Sequence, residues 1–318
     1  MSKTICIYHG NCADGFTAAW AVRKALGDQV EYVPGTYGAP PPDVNGADVI
    51  MVDFSYKRPV LDQMAKTARS ILILDHHKTA EADLKGFGVD MSDWNPPFGW
   101  RRHTMNVAQD ICEGIPYASS YVIFDMGRSG AQIAWDFFHP GEARPALVDY
   151  VADRDLWKFS EARSRDIAAW YFSHPYDFSV WSGLASILET GAGRNAAAAE
   201  GTAIERKHHK DITELLKITR REMVIGGHRV PVANLPYTMA SDAAGAMAED
   251  APFAACYFDR TDARVFSLRS RGEGGLDVAE IAASYGGGGH KNAAGFQMPI
   301  GWEGDAMLAA STDGGDDA

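Results

Sequence analysis

The stretch ILILDHHK at residues 71–78 places an acid and two imidazoles directly after four apolar residues. An unbroken apolar run that is rich in Ile is typical of a strand buried on both faces, as in parallel sheets covered by helices. Ligands of open α/β sheets bind beyond the carboxyl ends of such strands. A histidine pair in a simple turn is the alternative interpretation, and this motif alone does not decide between the two.

Two other predicted strands also end in side chains that bind metals. The strand TICIY runs into His9, followed by Cys12 and Asp14, and the strand ADVIMV runs into Asp53. Because neighbouring parallel strands end at one edge of a sheet, we expect these groups to meet Asp75, His76 and His77 there. Carboxylates and imidazoles suit borderline-to-hard divalent ions such as Mn²⁺. Two metal ions that share a carboxylate and lie about 3.5–4 Å apart can activate a water molecule and bind a phosphate. This arrangement favours phosphoester hydrolysis.

The elements that would position these groups alternate between strands and helices. Strands are predicted at residues 4–8, 30–33, 47–53 and 70–74, and helices at 16–26, 58–68 and 130–138. Residues 145–157 are predicted to form a helix or a turn. The β-α-β order predicts an α/β fold with a mostly parallel, doubly wound sheet. The pattern weakens between residue 90 and about residue 123. We expect Trp135, Trp157, Trp170 and Trp181 to lie in the core.

A second, smaller α/β pattern follows Gly226 and Gly227. Its strands are predicted in HRVPVANL, FAACYFD and RVFSLRS, and its helices at 242–249 and 277–284. We therefore predict a first domain at 1–190, a helical connector at 191–225, a second domain at 226–302 and a flexible acidic tail at 303–318. Two such domains predict a cleft between them that holds the substrate.

Composition narrows the classes of partner. The formal net charge of −12 disfavours long duplex nucleic acid, whose binding depends on neutralising phosphates with Lys and Arg. No apolar stretch is long enough to cross a bilayer, and MSKTICIYHG lacks the features of a signal peptide. We expect a cytoplasmic protein without a membrane partner. The sequence does not indicate an oligomeric state.

The ordered motifs HGNCADGF, VDFS, LDHH, VADRD and GGGGHKNAAGF span residues 9–296. Together they resemble the DHH phosphoesterase family with a C-terminal DHHA1 domain, among whose members are oligoribonuclease-like phosphodiesterases. The resemblance implies that His9 binds one metal ion, that Asp53 bridges two ions, and that Asp14, His76 and Asp153 bind the second ion. Asp155 is the alternative to Asp153, which we favour because it follows the apolar pair VA directly.

The resemblance also assigns catalytic roles at the third strand end. Asp75 would orient the neighbouring imidazole, and His77 would face the scissile phosphate. Relatives commonly carry an acid where this sequence has Cys12. A thiolate ligand would favour Zn²⁺ or Fe²⁺. The alternative, which we favour, is a thiol packed beside the site, with the first metal ion loosely held. We expect two divalent ions, with Mn²⁺ favoured and Mg²⁺, Zn²⁺ and Fe²⁺ as alternatives.

The glycine run YGGGGHKNAAG at residues 285–295 would cost much backbone entropy in a helix or a strand. We therefore predict a loop whose backbone N–H groups bind an anion, as the DHHA1 resemblance implies. Its predicted substrate-binding residues are Gly287, Gly288, Gly289, His290, Lys291 and Asn292. Arg269, favoured over Arg271, would pair with a terminal phosphate.

These features predict a phosphodiesterase that cleaves short oligonucleotides or dinucleotides to nucleoside monophosphates, with Asp53, Asp75 and His77 at the centre of the chemistry. A phosphatase acting on a nucleoside bisphosphate or on pyrophosphate is the alternative within enzymes. A nucleotide-binding sensor with impaired catalysis is the alternative of another class, and Cys12 is the feature that makes it conceivable.

Overall fold

The computed structural model describes residues 3–92, 107, 119–272 and 274–305. The chain divides into two compact units at residues 1–207 and 208–318. The boundary falls inside one long helix, Gly191–Thr219, which covers most of the predicted connector. No helix among the described residues is both long enough and apolar enough to cross a membrane.

The first unit contains a six-stranded parallel sheet. Its strand order is β2-β1-β3-β4-β6-β5. The strands are β1 (Thr4–His9), β2 (Val30–Gly35), β3 (Asp48–Val52), β4 (Ser70–Asp75), β5 (Val89–Asp90) and β6 (Ser119–Phe124). The helices are α1 (Ala13–Leu26), α2 (Arg58–Met64), α3 (Lys78–Asp83), α4 (Gly130–Phe138), α5 (Ala146–Asp155), α6 (Ser164–Phe172), α7 (Phe178–Leu188) and α8 (Gly191–Thr219).

Helices cover both faces of this sheet, as the apolar strands predict. Alternate residues of each strand point to opposite faces. Ile50 and Leu72 therefore join a core cluster with α1, α4 and α5, while Met51 and Ile73 join a second cluster with α2. Every residue of β3 and β4 is buried. The predicted α/β fold with a doubly wound parallel sheet is confirmed.

The second unit contains a mixed six-stranded sheet in the order β11-β12-β10-β9-β8-β7. Its strands β8 and β9 are parallel, and the other neighbours are antiparallel. The strands are β7 (Arg221–Ile225), β8 (His228–Asn234), β9 (Ala254–Asp259), β10 (Arg264–Arg269), β11 (Gly288–His290) and β12 (Ala293–Met298). The helices are α9 (Tyr237–Met247) and α10 (Val278–Ser284).

The glycine run forms a hairpin, not the loop that we predicted. Strands β11 and β12 pair through Gly288 with Gly295 and Gly289 with Ala294. A Cβ atom on Gly287 would lie 2.1 Å from the Gly295 carbonyl oxygen, and Gly289 has a φ of 143°. The missing side chains let the two strands approach, and this packing offsets the entropy that glycine loses in a strand.

Two boundaries also differ from the prediction. Residues 221–225, assigned to the connector, form β7 at one edge of the second sheet. The predicted tail begins at residue 303, but Glu303 accepts a hydrogen bond from Arg264 at 2.8 Å, and Asp305 accepts one from Tyr285 at 2.6 Å. Residues 303–305 therefore belong to the second unit, and residues 306–318 lie outside the described residues.

Candidate metal centre

The predicted ligands meet at the carboxyl edge of the first sheet. Strand β1 ends at His9, Asp53 follows β3, and β4 ends at Asp75 with His76 directly after it. Because β1, β3 and β4 are consecutive neighbours in the sheet, their ends lie side by side. Helix α1 begins four residues after His9 and contributes Asp14 from its first turn.

Asp53 lies at the centre of this cluster. Its Oδ1 atom is 3.0 Å from His76 Nε2 and 3.9 Å from His77 Nδ1, and its Oδ2 atom is 3.5 Å from His9 Nδ1. Among residues of the first unit, two groups of possible metal ligands result, one of Asp14, Asp53 and His76 and the other of His9, Asp53 and His77. Both groups contain Asp53, which is the residue predicted to bridge two ions.

The backbone and the charge of Asp53 are both unusual. Its φ of 54° is left-handed, a conformation that Asp and Asn tolerate better than most residues. The side chain is buried, which opposes ionisation, yet the contacts with His76 and His9 hold the pKa of Asp53 well below its ordinary value. Asp53 is therefore an anionic carboxylate in the interior of the site.

Helix α4 fixes the position of Asp14. The Gly130 N–H donates to Asp14 Oδ2 at 2.6 Å and the Ala131 N–H donates to Oδ1 at 3.1 Å. A Cβ atom on Gly130 would lie 2.4 Å from the Asp53 Cβ atom. Gly130 is thus a residue of the site that the sequence analysis missed. The sequence signal that could have identified it is its place directly after Ser129, which caps α4 in a capping box.

The structure brings Asp155, and not the favoured Asp153, to the cluster. Asp155 Oδ2 lies 3.5 Å from His76 Nε2. Asp153 instead accepts hydrogen bonds from the Ser160 N–H at 2.8 Å, the Ser160 hydroxyl at 2.7 Å and the Glu161 N–H at 3.1 Å. These bonds occupy both oxygens of Asp153 and hold the loop that follows α5. The geometry therefore favours Asp155 over Asp153 as the candidate ligand.

Asp75 and His77 form a tight pair beside the ligands. His77 Nδ1 lies 2.7 Å from Asp75 Oδ1, which also accepts the His76 N–H at 2.8 Å. Burial would lower the pKa of His77, but the Asp75 carboxylate raises it above its ordinary value. This contact fixes the orientation of the His77 ring, whereas we predicted that Asp75 orients the ligating imidazole, His76.

Cys12 is the residue directly before α1 and lies next to the cluster. Its thiol donates to Asp53 Oδ2 at 3.6 Å. Burial, followed by the charges of Asp53 and Asp155, raises the pKa of Cys12 well above its ordinary value. Neither of the two ligand groups formed by described residues at this edge includes Cys12. This geometry fits a thiol packed beside the site.

The donor set fits divalent cations. Three carboxylates, those of Asp14, Asp53 and Asp155, lie within 3.6 Å of His76 Nε2. Burial would lower the pKa of His76, but these carboxylates raise it to about 10. Among the residues that the structure describes, the buried His9 Nδ1 atom has no hydrogen-bond partner. Clustered carboxylate oxygens and imidazole nitrogens, one of them without a hydrogen-bond partner, form a donor set that a divalent cation would satisfy.

The predicted substrate-binding residues of the second unit also lie together. Arg269 ends β10 and donates to the Ser241 hydroxyl at 2.6 Å and to the Leu268 carbonyl at 2.7 Å. Its cross-strand partner is Ala293, which follows the turn of the hairpin. Ser270 donates its N–H to the Asn292 carbonyl at 3.1 Å. The turn with His290, Lys291 and Asn292 is therefore tied to the end of β10.

No family model matches the chain. A curated relative, an uncharacterized protein of Acanthamoeba polyphaga mimivirus, is 26% identical over 92% of the chain. The chain spans 66% of the length of that relative.

Solved structures similar to the chain include three proteins that share little sequence identity with it. A pGpG-specific phosphodiesterase from Vibrio is 12% identical, with 94% of this chain and 93% of that chain covered and a TM-score of 0.38. RecJ from Thermus thermophilus, in complex with Mn²⁺, is 14% identical, with coverage of 93% and 50% and a TM-score of 0.40. The DHH domain of a member of the s1p family of ribosomal proteins is 13% identical, with coverage of 92% and 82% and a TM-score of 0.43.

Proposed function

We propose that the chain is a metal-dependent phosphoesterase of the DHH type that hydrolyses phosphodiester bonds in short oligonucleotides or dinucleotides and releases nucleoside monophosphates. The observation that carries this proposal is the position of Asp53, which belongs to both groups of possible ligands. A shared carboxylate between two cations is the arrangement that phosphoryl-transfer sites use.

Each ligand group would hold one divalent ion. His9 and Asp53 would hold the first, and His77 of that group would face the substrate instead. Asp14, Asp53 and His76 would hold the second ion, joined by Asp155, which lies 3.5 Å from His76. When bound, such ions lower the pKa of a water molecule and stabilise the charge on the phosphate. We propose Mn²⁺ because the donors are carboxylate oxygens and imidazole nitrogens, and because the Cys12 thiol donates a hydrogen bond to Asp53.

The remaining residues would position these groups and the substrate. The two N–H groups at the start of α4 hold both oxygens of Asp14, so that this carboxylate keeps one orientation. The Asp75 contact with His77 Nδ1 fixes the orientation of the His77 ring beside Asp53. We propose that His77 donates a hydrogen bond from Nε2 to the scissile phosphate.

In the second unit, we propose that the hairpin turn and Arg269 bind a phosphate of the substrate. The turn adds the side chains of His290, Lys291 and Asn292 to the N–H groups of Gly287, Gly288 and Gly289. Arg269 is half-buried and already held by Ser241, so less side-chain entropy is lost when it pairs with an anion. Short anionic substrates agree with the net charge of −12, which repels long polyanions.

Product analysis tests the proposal. Metal-stripped protein is incubated with a labelled short RNA, a linear dinucleotide or a nucleoside bisphosphate, with Mn²⁺, Mg²⁺ or Zn²⁺ restored in separate reactions. We expect mononucleotides from the first two substrates, with Mn²⁺ the most effective ion. Inorganic phosphate from the bisphosphate alone would instead identify a phosphatase. No product with any ion would identify a binding protein.

Asp53→Asn is the decisive variant, and Asp62→Asn is its matched control. Asp62 carries the same charge on α2 but is exposed and pairs with Arg58 at 2.8 Å. We expect Asp53→Asn to lose turnover and Mn²⁺ binding, because the amide removes the shared negative charge. Asp62→Asn should retain both. Full activity of Asp53→Asn would contradict the two-metal assignment.

A further inference from the structure

A cluster of aromatic rings and guanidinium groups surrounds the loop that follows α5, and we call it the aromatic platform. Its members are Trp157, Phe159 and Phe172 with Arg154 and Arg165. Arg154 lies 4.2 Å from the centre of the Trp157 ring, and Arg165 lies 3.6 Å from the centre of the Phe159 ring. The two rings meet edge to face with 5.0 Å between their centroids. The platform therefore combines flat apolar surfaces with positive charge.

The platform is accessible to a ligand. Trp157 is 39% exposed and Phe172 is 49% exposed, whereas Trp135, Trp170 and Trp181 are at most 5% exposed. The expectation that all four tryptophans lie in the core is thus wrong for Trp157. A large aromatic side chain kept at the surface is a feature of binding sites rather than of cores.

The loop backbone is held in a conformation that its residues disfavour. Trp157, Phe159 and Arg163 have φ angles of 55°, 49° and 61°. Bulky side chains rarely adopt left-handed backbone, and such residues persist where the surrounding structure imposes them. The Asp153 carboxylate anchors this loop, because it accepts hydrogen bonds from Ser160 and Glu161. The rings therefore lie on a loop that is tied to α5.

Arg165 retains its hydrogen-bonding capacity. It makes no hydrogen bond or ion pair with any residue that the structure describes, and its guanidinium lies over the Phe159 ring and near the Trp157 ring. Its neighbour Arg163 instead pairs with Asp166 at 2.6 Å. A guanidinium stacked on a ring keeps its N–H groups directed outward in its own plane, where they match a phosphate.

The platform also lies close to the candidate metal centre. Trp157 is two residues from Asp155, so their Cα atoms are at most about 7 Å apart. Asp155 itself reaches His76 at 3.5 Å. A nucleotide whose phosphate lies at the metal centre would place its base within the range of these rings.

We propose that the aromatic platform is a nucleotide-binding subsite, in which Trp157 stacks on the base next to the cleaved bond and Arg165 binds the adjoining phosphate. This inference rests on the proposed phosphodiesterase function and specifies which part of the substrate the first unit recognises. Stacking accepts every base, because each base has a π-face. The subsite therefore selects nucleotides over other phosphodiesters without selecting a base sequence.

Kinetics on a dinucleotide and on its abasic analogue test the inference. We expect Trp157→Ala to raise KM about tenfold or more for the dinucleotide and to leave the KM for the abasic analogue unchanged, as loss of one stacked base implies. Arg165→Ala should raise KM for both substrates, because it contacts a phosphate. Trp157→Gly suits the left-handed backbone and serves as a second variant if Trp157→Ala does not fold.

Binding of adenosine 5′-monophosphate in the presence of a chelator, measured by calorimetry, provides a readout independent of turnover. Arg206→Ala is the matched control, since Arg206 is an exposed cation on α8. We expect adenosine 5′-monophosphate to bind more weakly to the Trp157 and Arg165 variants, and to bind Arg206→Ala as tightly as the wild type. Equal behaviour of Arg165→Ala and Arg206→Ala, or equal effects of Trp157→Ala on the two substrates, would overturn the subsite. Nucleotide binding that depends on Trp157 without hydrolysis of any diester would refute the proposed function and leave the subsite standing.

Discussion

Gly130→Ala is expected to destabilise the first unit, although it replaces glycine by a better helix former. The new Cβ atom would lie 2.4 Å from the Asp53 Cβ atom and 2.9 Å from Asp14 Oδ2. Ordinary carbon contacts lie at about 3.5–4.0 Å, so α4 or Asp53 must move by about 1 Å. Such a shift also stretches the 2.6 Å hydrogen bond from the Gly130 N–H to Asp14.

The magnitude follows from three terms. Overpacking costs about 1–3 kcal/mol. Weakening a hydrogen bond to a charged acceptor costs up to about 1.5–3 kcal/mol. The higher helix propensity of Ala than of Gly stabilises α4 by at most about 1 kcal/mol. We therefore expect the free energy of unfolding to fall by about 2 kcal/mol or more. Mn²⁺ affinity should fall about tenfold, as is usual when a group that orients ligands is disturbed.

Urea denaturation and Mn²⁺ titration of the variant measure both effects, with Gly183→Ala as the matched control. Gly183 lies inside α7, and a Cβ atom there would meet nothing within 4 Å. This control should be stabilised by about 0.5–1 kcal/mol. If Gly130→Ala were stabilised like Gly183→Ala and kept its Mn²⁺ affinity, the close approach of α4 to the metal centre would be refuted.

Three further outcomes are expected. Asp155→Asn should lose Mn²⁺ binding, measured by calorimetry, with little change in melting temperature. Asp153→Ala should keep Mn²⁺ binding, but its free energy of unfolding should fall by about 2–3 kcal/mol, because the Asp153 carboxylate accepts three hydrogen bonds. Ser129→Ala should lose about 1 kcal/mol in urea denaturation, the usual value of a helix cap. Mn²⁺ at a hundred times its dissociation constant should stabilise the wild type by about 2.7 kcal/mol, and Asp53→Asn should abolish this shift in thermal unfolding.

The sequence predicts the first sheet well because its strands are buried on both faces. The run ILIL therefore appears as uninterrupted apolar residues, and the predicted strand at 70–74 agrees with β4 at Ser70–Asp75. Strand β6 was missed, since its sequence SSYVIF opens with two serines and follows a long stretch without periodicity. Helices α6 and α7 were missed as well.

The choice between Asp153 and Asp155 shows where sequence reasoning fails at the site. Both acids lie in the last turn of α5, and residues two apart on a helix point about 200° away from each other. Only one of them can face the sheet edge, and that depends on how α5 packs. The apolar pair VA before Asp153 correctly indicated a buried side chain, since Asp153 is 4% exposed. The buried carboxylate accepts hydrogen bonds from the loop that follows α5 and does not lie at the metal centre.

The hairpin in the glycine run was missed for a related reason. Glycine entropy argues against a strand at any single position, whereas the close approach of Gly287 to the Gly295 carbonyl becomes visible only once both strands are placed. The low strand propensity of glycine is outweighed by the pairing of β11 with β12, which depends on residues that are distant from each glycine in the sequence.

The left-handed backbone of Asp53 limits which replacements the metal centre can accept. A position with a φ of 54° admits Gly, Asn and Asp with little strain and disfavours most other residues, Glu among them. Of the residues that this backbone favours, only Asp carries a negative charge. A substitution of Asp53 therefore loses either the negative charge or the left-handed backbone conformation. We expect evolution to retain Asp at this position, because almost no other residue preserves both.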